Sequence, residues 1–432
     1  MRSALSKRYR PKKWYALDNS AKIYTGSMSR SWASVFRISV TLTETIDPRR
    51  LQQALEITLK RLPLFRMSLH RGMFWYYLDE RVTAPPHVEA DVQNPCKRIE
   101  KKENGGCMFR VRYYRDRIAL EVFHSMTDGT GAITFLKTLA AQYLRLCGHE
   151  IGCGNGVLCC DDAPRPEEAE DSLRRYARFE HIESRREAAA YRPKLTREPR
   201  PYMHILTAKM SVAEVSAAAK AIGVSINDYL AAALCYALYE QQEEEAPRRK
   251  KPIKINIPVN MRRYYPSETL RNFSLFVNPG IDPRYGTFTF EETALQFHHF
   301  LRLHVHEKKL NAIMSANVGS EKNPIVRVLP LFIKDTALGL SYWMYGESRY
   351  SVSMSNLGSV QLPEDMRPYV RRFDFMLGPQ RYLPHAAGVI SYGDDLYLTV
   401  TRTAQEADVE RRLFTALVKR GVAVRIESNE VL

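Results

Sequence analysis

An α/β protein of two lobes, each a mixed sheet flanked by helices, is the fold class this chain predicts, on three observations. The chain has 432 residues, 45% of them hydrophobic and 26% charged, too long for one ordinary domain and comfortable for two of about 200 residues. Strand-like and helix-like runs alternate up to residue 150 and begin again after residue 200. Between them, residues 148–166 are rich in Gly, Cys, Asp and Pro, and residues 167–201 are highly charged with few large apolar side chains. The chain therefore divides into an N-terminal lobe (1–150), a charged linker (151–200) and a C-terminal lobe (201–432).

In the first lobe, Val35 to Leu42 alternates as a strand does, and Asp47-Pro48 is an N-cap and first-turn signal for a helix over Leu51 to Arg61. Extended runs follow at Phe65 to Leu69, Met73 to Leu78, Phe109 to Tyr114 and Ile118 to Phe123, with turn chemistry at Asn104-Gly105-Gly106. Ile133 to Leu146 has apolar residues at helical spacing. After the linker, a strand opens at His204, and Ser211 with Glu214 predicts a capping box for a helix. A second helix runs to Tyr239 and opens near Asn227 and Asp228; a strand covers Ile253 to Arg262, and a helix covers Phe290 to Leu310. Late strands are predicted at Tyr350 to Ser355, Ala386 to Tyr392 and Leu396 to Thr401, the last two joined through Gly393-Asp394-Asp395. A helix over Val409 to Lys419 and a strand over Val422 to Ile426 close the chain.

The formal net charge is +16, which asks for an anionic partner or surface. The basic clusters at Lys7 to Lys13 and Arg248 to Lys254 sit in no helix-turn-helix, zinc finger or aromatic single-strand motif, so nucleic acid is not the expected partner. A phosphate-bearing small molecule, an acidic carrier protein or an anionic membrane face would use the same charge. No apolar run approaches the ~20 residues that span a bilayer, and the basic N-terminus lacks the apolar core of a secretory signal. A cytoplasmic protein is expected, peripheral to membranes at most.

The seven cysteines make no disulfide framework in a chain this large. Cys147, Cys153, Cys159 and Cys160 lack the close pairs of zinc ribbons and are expected as reduced thiols in the linker. His298, His299, His304 and His306 crowd one predicted helix with no two at i, i+4, so no metal is expected there.

The most informative segment is F-H-S-M-T-D-G, Phe123 to Gly129, between a strand and a helix. An imidazole there can act as a general base, because its unperturbed pKa lies nearest neutrality. The Asp128 carboxylate can fix the turn, and Gly129 can adopt backbone angles closed to other residues. Four features of the second half can be set beside it. Asn227-Asp228 opens a helix; Arg262 ends a strand after P-V-N-M, with Asn272 following in L-R-N-F; Ser355-Asn356-Leu357-Gly358 leaves another strand, where a Ser-Asn pair can donate to an oxyanion or build a turn.

In this order these segments resemble the chloramphenicol acetyltransferase-like and condensation-domain superfamily of CoA-dependent acyltransferases. That superfamily takes in bacterial alcohol acetyltransferase-like proteins, wax-ester synthases and plant HxxxD acyltransferases. F-H-S-M-T-D-G stands at the family's HHxxxDG position, N-D at that of the wax-synthase N-D motif, P-V-N-M-R at its P-V-x-x-R strand and S-N-L-G at its S-N-x-x segment. Phe123 replaces the first histidine, as in plant members, and the plant D-F-G-W-G segment survives only as D-F-M-L-G, Asp374 to Gly378.

The resemblance implies two sandwiched lobes with a tunnel at their interface, and His124 as the base that activates an alcohol or amine acceptor against an acyl thioester. Acyl-CoA, or an acyl carrier thioester, would be a co-substrate, with no bound cofactor and no metal. Asp128 would pair with an arginine, for which Arg262 is the candidate, and Ser355 and Asn356 would hold the oxyanion. Gly129, Asn227 and Asp228 complete the candidate set. The same resemblance implies a monomer. The alternative function is a non-catalytic binding module of the same fold, docking an acidic carrier protein or a lipid-like ligand.

Overall fold

The computed structural model describes residues 14–26, 28, 34–80, 85–100, 104–180, 183, 187–198, 202–320, 328–341 and 347–430. Three sheets and their helices make up two lobes, each with its own apolar core.

The first lobe opens with β1 (Trp14–Ala16), α1 (Asn19–Gly26), β2 (Val35–Leu42) and α2 (Pro48–Arg61). It continues with β3 (Ser68–Arg71), β4 (Tyr76–Asp79), β5 (Glu89–Ala90), β6 (Phe109–Tyr114), β7 (Arg117–Phe123) and α3 (Gly129–Leu146). Asp47 caps α2 by accepting the Arg49 and Arg50 N–H groups, where a side-chain cap contributes about 1 kcal/mol. Phe65 falls in a 3-10 turn, Pro63–Arg66, because Pro63 fixes its first φ, and the strand begins only at Ser68. Met73 lies in the turn before β4 rather than in a strand. β1, β4 and β3 form a small antiparallel sheet.

The main sheet of this lobe runs β13-β2-β7-β6-β5, where β13 (Val370–Leu377) comes from the far end of the chain. Phe36, Ile38, Val40 and Leu42 of β2 enter the core. The opposite face of β2 is also buried, so Arg37 needs carboxylates: Asp91 accepts it at 2.5 Å and Glu121 at 3.3 Å. Burial by itself would raise the pKa of Asp91, but the Arg37 guanidinium holds it down at about 2.

The second lobe begins with α4 (Ser172–Tyr176), β8 (His204–Ser211), α5 (Val212–Ile222), α6 (Ile226–Glu245) and β9 (Ile253–Asn260). β10 (Ser274–Val277), β11 (Gly280–Ile281), α7 (Phe290–His304), α8 (Glu307–Ser320), α9 (Leu331–Ser341) and β12 (Val352–Ser359) follow. After β13 come β14 (His385–Tyr392), β15 (Asp395–Arg402), α10 (Asp408–Val418) and β16 (Arg425–Ser428). The large sheet has the order β10-β9-β12-β14-β15-β8-β16, with β11 beside β9. It is mixed, since β12 runs parallel to both β9 and β14 while the other neighbours are antiparallel. The turn Gly393-Asp394 closes the β14–β15 hairpin, as its residue types predict. The apolar run of the last strand is displaced: Val422 is buried ahead of it, and β16 pairs with β8 through Arg425 to Ser428.

The starts of α5 and α6 differ in their caps. Ser211 accepts the Glu214 N–H, but the Glu214 carboxylate turns to Ala423 N instead of closing the box. At α6 the box is complete, between Ser225 and Asp228. The predicted helix over Phe290 to Leu310 breaks at Val305, giving α7 and α8.

Residues 151–173 touch both lobes at a few points and are otherwise largely exposed. Val157 enters the first core, Leu173 the second, and Glu168 receives Arg61 through two bonds of 2.7 and 2.5 Å. The expectation of reduced thiols is corrected for Cys153 and Cys159, which are joined in a disulfide, while Cys147 and Cys160 are free. The turn Gly154 to Val157 brings their Cα atoms to 5.5 Å, a separation a disulfide needs. No single helix among the described residues is long and apolar enough to cross a membrane.

Candidate active site

β7 lies inside the first sheet, between β2 and β6, and ends at Phe123. His124 N–H donates to Ser34 O at 2.8 Å, Met126 N–H turns back to Phe123 O, and the chain enters α3. This strand–turn–helix places the imidazole at the C-terminal end of β7. Its ring is held on two sides: Tyr24 of α1 stacks on it at 4.2 Å between centroids, and Phe36 of β2 meets it edge-on at 5.0 Å.

A third contact sets the proton. His124 Nδ1 lies 3.1 Å from Asn272 Oδ1, and an amide oxygen can only accept, so Nδ1 carries the hydrogen and Nε2 keeps its lone pair. Neighbouring charge supports that orientation of the amide. Arg271 Nη2 reaches the buried Asp18 carboxylate at 3.4 Å, and the Asn272 side chain favours the charged form of Asp18. Asn272 Nδ2 is buried without a hydrogen-bond partner of its own among the described residues, and it is the end of the amide that favours the charged Asp18, leaving the oxygen for the imidazole. Burial still prevails at Asp18, whose pKa is pushed up to about 6 against the pull of Arg271.

Burial also lowers the pKa of His124, opposed by its own backbone, by Asp128 and by Asn272. The imidazole is accordingly neutral at neutral pH, the form a base requires. Tyr24 Oη is 3.4 Å from Nε2. With Nδ1 protonated, the hydroxyl donates to Nε2, a long hydrogen bond to the one ring nitrogen that keeps a lone pair.

Asp128 is turned away from the ring. Its Oδ1 caps α3 by accepting the Thr130 and Gly131 N–H groups, each at 3.1 Å. Its Oδ2 takes the Arg262 guanidinium at 2.8 Å and Phe273 N–H at 2.9 Å. Arg262 follows β9, and its remaining donors go to Thr269 O and Arg271 O at 2.7 to 3.1 Å. Thr127 Oγ1 donates to Leu270 O, and Asn260 Nδ2 to Thr130 Oγ1. The loop that delivers Asn272 is thereby clamped onto the H-x-x-x-D-G turn by the same carboxylate that starts α3.

The remaining sequence candidates separate into two groups. Asn356 Nδ2 meets Asn227 Oδ1 at 3.3 Å, and Leu357 Cδ2 would lie 2.5 Å from a Cβ placed on Gly129, so these residues gather beside the motif. S-N-L-G does not leave its strand: β12 continues through it with a register shift, Gly358 at φ +74° accommodating the break, and Asn356 Oδ1 accepting Gly358 N–H. Ser355 lies half-buried in β12 opposite Gly388. Asp228, by contrast, is occupied by Ser225 and by His298 Nδ1 at 2.9 Å, and serves the helix start. Gly129 is the first residue of α3 and has no positive φ, so the reason for glycine there is the approach of Leu357 and not special backbone angles.

Sequence reasoning gave no role to Tyr24, Asp18 or Phe36, and it quoted Asn272 only as a neighbour in L-R-N-F. Asn272 had a local signal, ten residues after Arg262; Tyr24 had none, because its helix carries no motif. Among the described residues no group of three or more His, Cys, Asp and Glu side chains could hold a metal ion.

No family model and no curated protein matches the chain by sequence. Solved structures do match over almost all of it. TRI3 trichothecene 15-O-acetyltransferase from Fusarium sporotrichioides superposes with a TM-score of 0.61 at 12% identity, covering 94% of both chains. The epimerization domain from the third module of tyrocidine synthetase B gives 0.58 at 13% identity over 97% of both. The starter condensation domain of rhizomide synthetase, solved with C8-CoA and Leu-SNAC, gives 0.56 at 12% identity over 94% of both. The chain has the two-lobed fold of the chloramphenicol acetyltransferase-like and condensation-domain acyltransferases, the superfamily its motifs resemble.

Proposed function

We propose that this protein transfers an acyl group from a thioester, acyl-CoA in the simplest case, to an alcohol or amine, with His124 as general base. The observation that carries the reading is the imidazole itself, neutral and fixed by Asn272 in the tautomer whose Nε2 can accept a proton. In the reaction, Nε2 takes the proton of the acceptor O–H or N–H as the acceptor atom attacks the thioester carbonyl carbon. The carbon–sulfur bond then breaks, and the imidazolium returns its proton to the departing thiolate. The products are an ester or amide and a free thiol.

Ser355 is our candidate for the oxyanion donor, because both ends of the Asn356 amide are already engaged by Asn227 and Gly358. Asn356 and Gly129 then shape the segment beside the base. Asp128 and Arg262 hold the turn and do not exchange protons with the imidazole.

The test is thiol release from a series of acyl-CoAs, short to long, offered with mixed alcohols and amines, for wild type beside His124→Ala. A positioned base supplies roughly 10²- to 10⁴-fold, so the variant should lose at least about two orders of magnitude. Release equal in both proteins, or a loss of only a few-fold, would remove His124 from the chemistry. No release with any CoA would favour a carrier-bound donor or a binding module, the reading that the Tyr24 ring lying over the imidazole supports.

A further inference from the structure

The helix that carries Tyr24 is fixed at its start. Asp18 Oδ1 accepts Ala21 N–H at 2.8 Å, and Arg271 Nη2 holds the other carboxylate oxygen at 3.4 Å. Ser125, the residue after the candidate base, donates its hydroxyl to Ala21 O at 3.1 Å. Asn19 Nδ2 reaches Asn317 O of α8 at 3.1 Å. One turn beyond Ala21, α1 so held presents Tyr24 to the imidazole, ring on ring.

Stacking needs only a ring, and a phenylalanine would supply it. The hydroxyl does something more. Nδ1 carries the hydrogen that Asn272 accepts, so the lone pair of Nε2 is the one acceptor on the ring, and Tyr24 Oη lies 3.4 Å from it. Burial, with the Asp18 and Asp128 carboxylates adding to it, raises the pKa of the phenol, which therefore stays protonated and donates. The atom on which a base would act is already occupied. A base left open would serve water as readily as an alcohol. Nε2 would take a water proton as the water oxygen attacked the thioester carbon; the carbon–sulfur bond would break, and the imidazolium would return its proton to the thiolate. The products would be a carboxylic acid and a free thiol, and the acyl group would be lost.

We infer that Tyr24 is a specificity-determining residue, whose hydroxyl occupies His124 Nε2 until a bound acceptor displaces it, so that the acyl group passes to the acceptor and not to water. The inference rests on the acyl-transfer reading. Displacing one neutral hydrogen bond disfavours attack by roughly 3- to 10-fold. An acceptor offsets this with the binding energy of its non-reacting parts, and water has no such parts.

The test compares acyl-CoA hydrolysis without acceptor and transfer with it, for wild type, Tyr24→Phe, His124→Ala and the double variant. Phenylalanine keeps the stack, so Tyr24→Phe should melt with the wild type. Its hydrolysis should be ~3- to 10-fold faster than wild type, the ratio of transfer to hydrolysis should fall by a like factor, and the double variant should lose the gain. A second measurement needs no acyl-CoA. Diethyl pyrocarbonate attacks through an imidazole lone pair, and its labelling of the His124 peptide, read by mass spectrometry, should quicken by the same factor in Tyr24→Phe. Hydrolysis or labelling no faster in Tyr24→Phe than in wild type would overturn the inference, while transfer by the wild type that requires His124 would leave the acyl-transfer reading standing. Transfer and hydrolysis that both slow in Tyr24→Phe would overturn it too, and would make the hydroxyl a donor to the reacting atoms. No thiol release by wild type, with or without acceptor, would overturn the reading and the inference together.

Discussion

Arg262 Nη1 stands 2.8 Å from Asp128 Oδ2, an ion pair between residues 134 apart in the chain that joins the two lobes beside the candidate base. Both side chains are nearly buried. Removing one partner of such a pair leaves the other charged and unpaired, a change that costs about 3–5 kcal/mol. Asp128→Asn keeps the shape and removes the charge. We expect a lower urea midpoint with an unchanged slope, and a fall in folded yield that accompanies any fall in activity. Wild-type stability in Asp128→Asn would show that the pair does not hold the turn.

Asn272→Ala tests positioning. Without the amide oxygen, Nδ1–H loses its acceptor and the ring can rotate within its aromatic walls. Misplacement of a reacting group by about 1 Å can cost ~10²-fold, so turnover should fall by that order while KM changes little. The imidazole N–H proton resonance of His124 should be protected from exchange in wild type and lost in the variant. A wild-type rate would leave Asn272 as a packing residue only.

The pH dependence follows from two shifts of opposite consequence. His124 titrates below its ordinary 6.5 because it is buried. As pH falls below 6.5, the unfolded imidazole binds a proton that the folded one resists, so His124 subtracts stability there and has no such effect above. Asp18 is raised from 3.8 to about 6. Its penalty is fully present above pH 6 and is relieved as pH falls from 6 towards 3.8. NMR titration should give a His124 midpoint below 6.5, and the acid limb of the rate should follow it. A midpoint at or above 6.5 would contradict the burial argument.

Two glycines in the first turn of α3 predict unequal costs. A Cβ on Gly131 would collide with Thr127 Oγ1 and with the Leu270 carbonyl, which is backbone of the clamped loop. On Gly129 it would meet Leu357 Cδ2, the movable end of a side chain. Gly131→Ala should therefore destabilise by about 1–3 kcal/mol or more, and Gly129→Ala by clearly less. Thermal melts of the two variants check the order.

The strands β2, β6 and β7 were legible because alternation and β-branched or aromatic residues coincide there, as was α2 from Asp47-Pro48. The turn from β7 into α3 was legible for a different reason: Asp128 is at once the cap of a helix and part of a motif. What escaped were features decided by tertiary contacts. β13 is the segment D-F-M-L-G with its flanks, whose partner strand lies over 300 residues earlier. Tyr24 occupies a helix with no motif, and its stacking on His124 depends on where α1 lands. Glu214 completes a sequence capping box and yet bonds Ala423, a competition no local pattern contains. The place of Asp228 at a helix start was legible, but its second partner, His298 seventy residues later, was not.

The crossing of β13 has a consequence for how the protein is made. β2 is buried on both faces and has two neighbours in its sheet, β7 and β13. During synthesis β7 follows within about 80 residues, but β13 does not leave the ribosome until more than 300 residues after β2. At ~5–20 residues per second that interval is roughly tens of seconds, during which an apolar strand presents an open edge, the kind of template on which chains pair wrongly. Nascent chains that stop short of Val370 should accumulate on chaperones, and the N-terminal half expressed by itself should aggregate. The sheet that carries the His124 turn is finished only when the second half of the polypeptide is present, whereas the large sheet draws every strand from that second half.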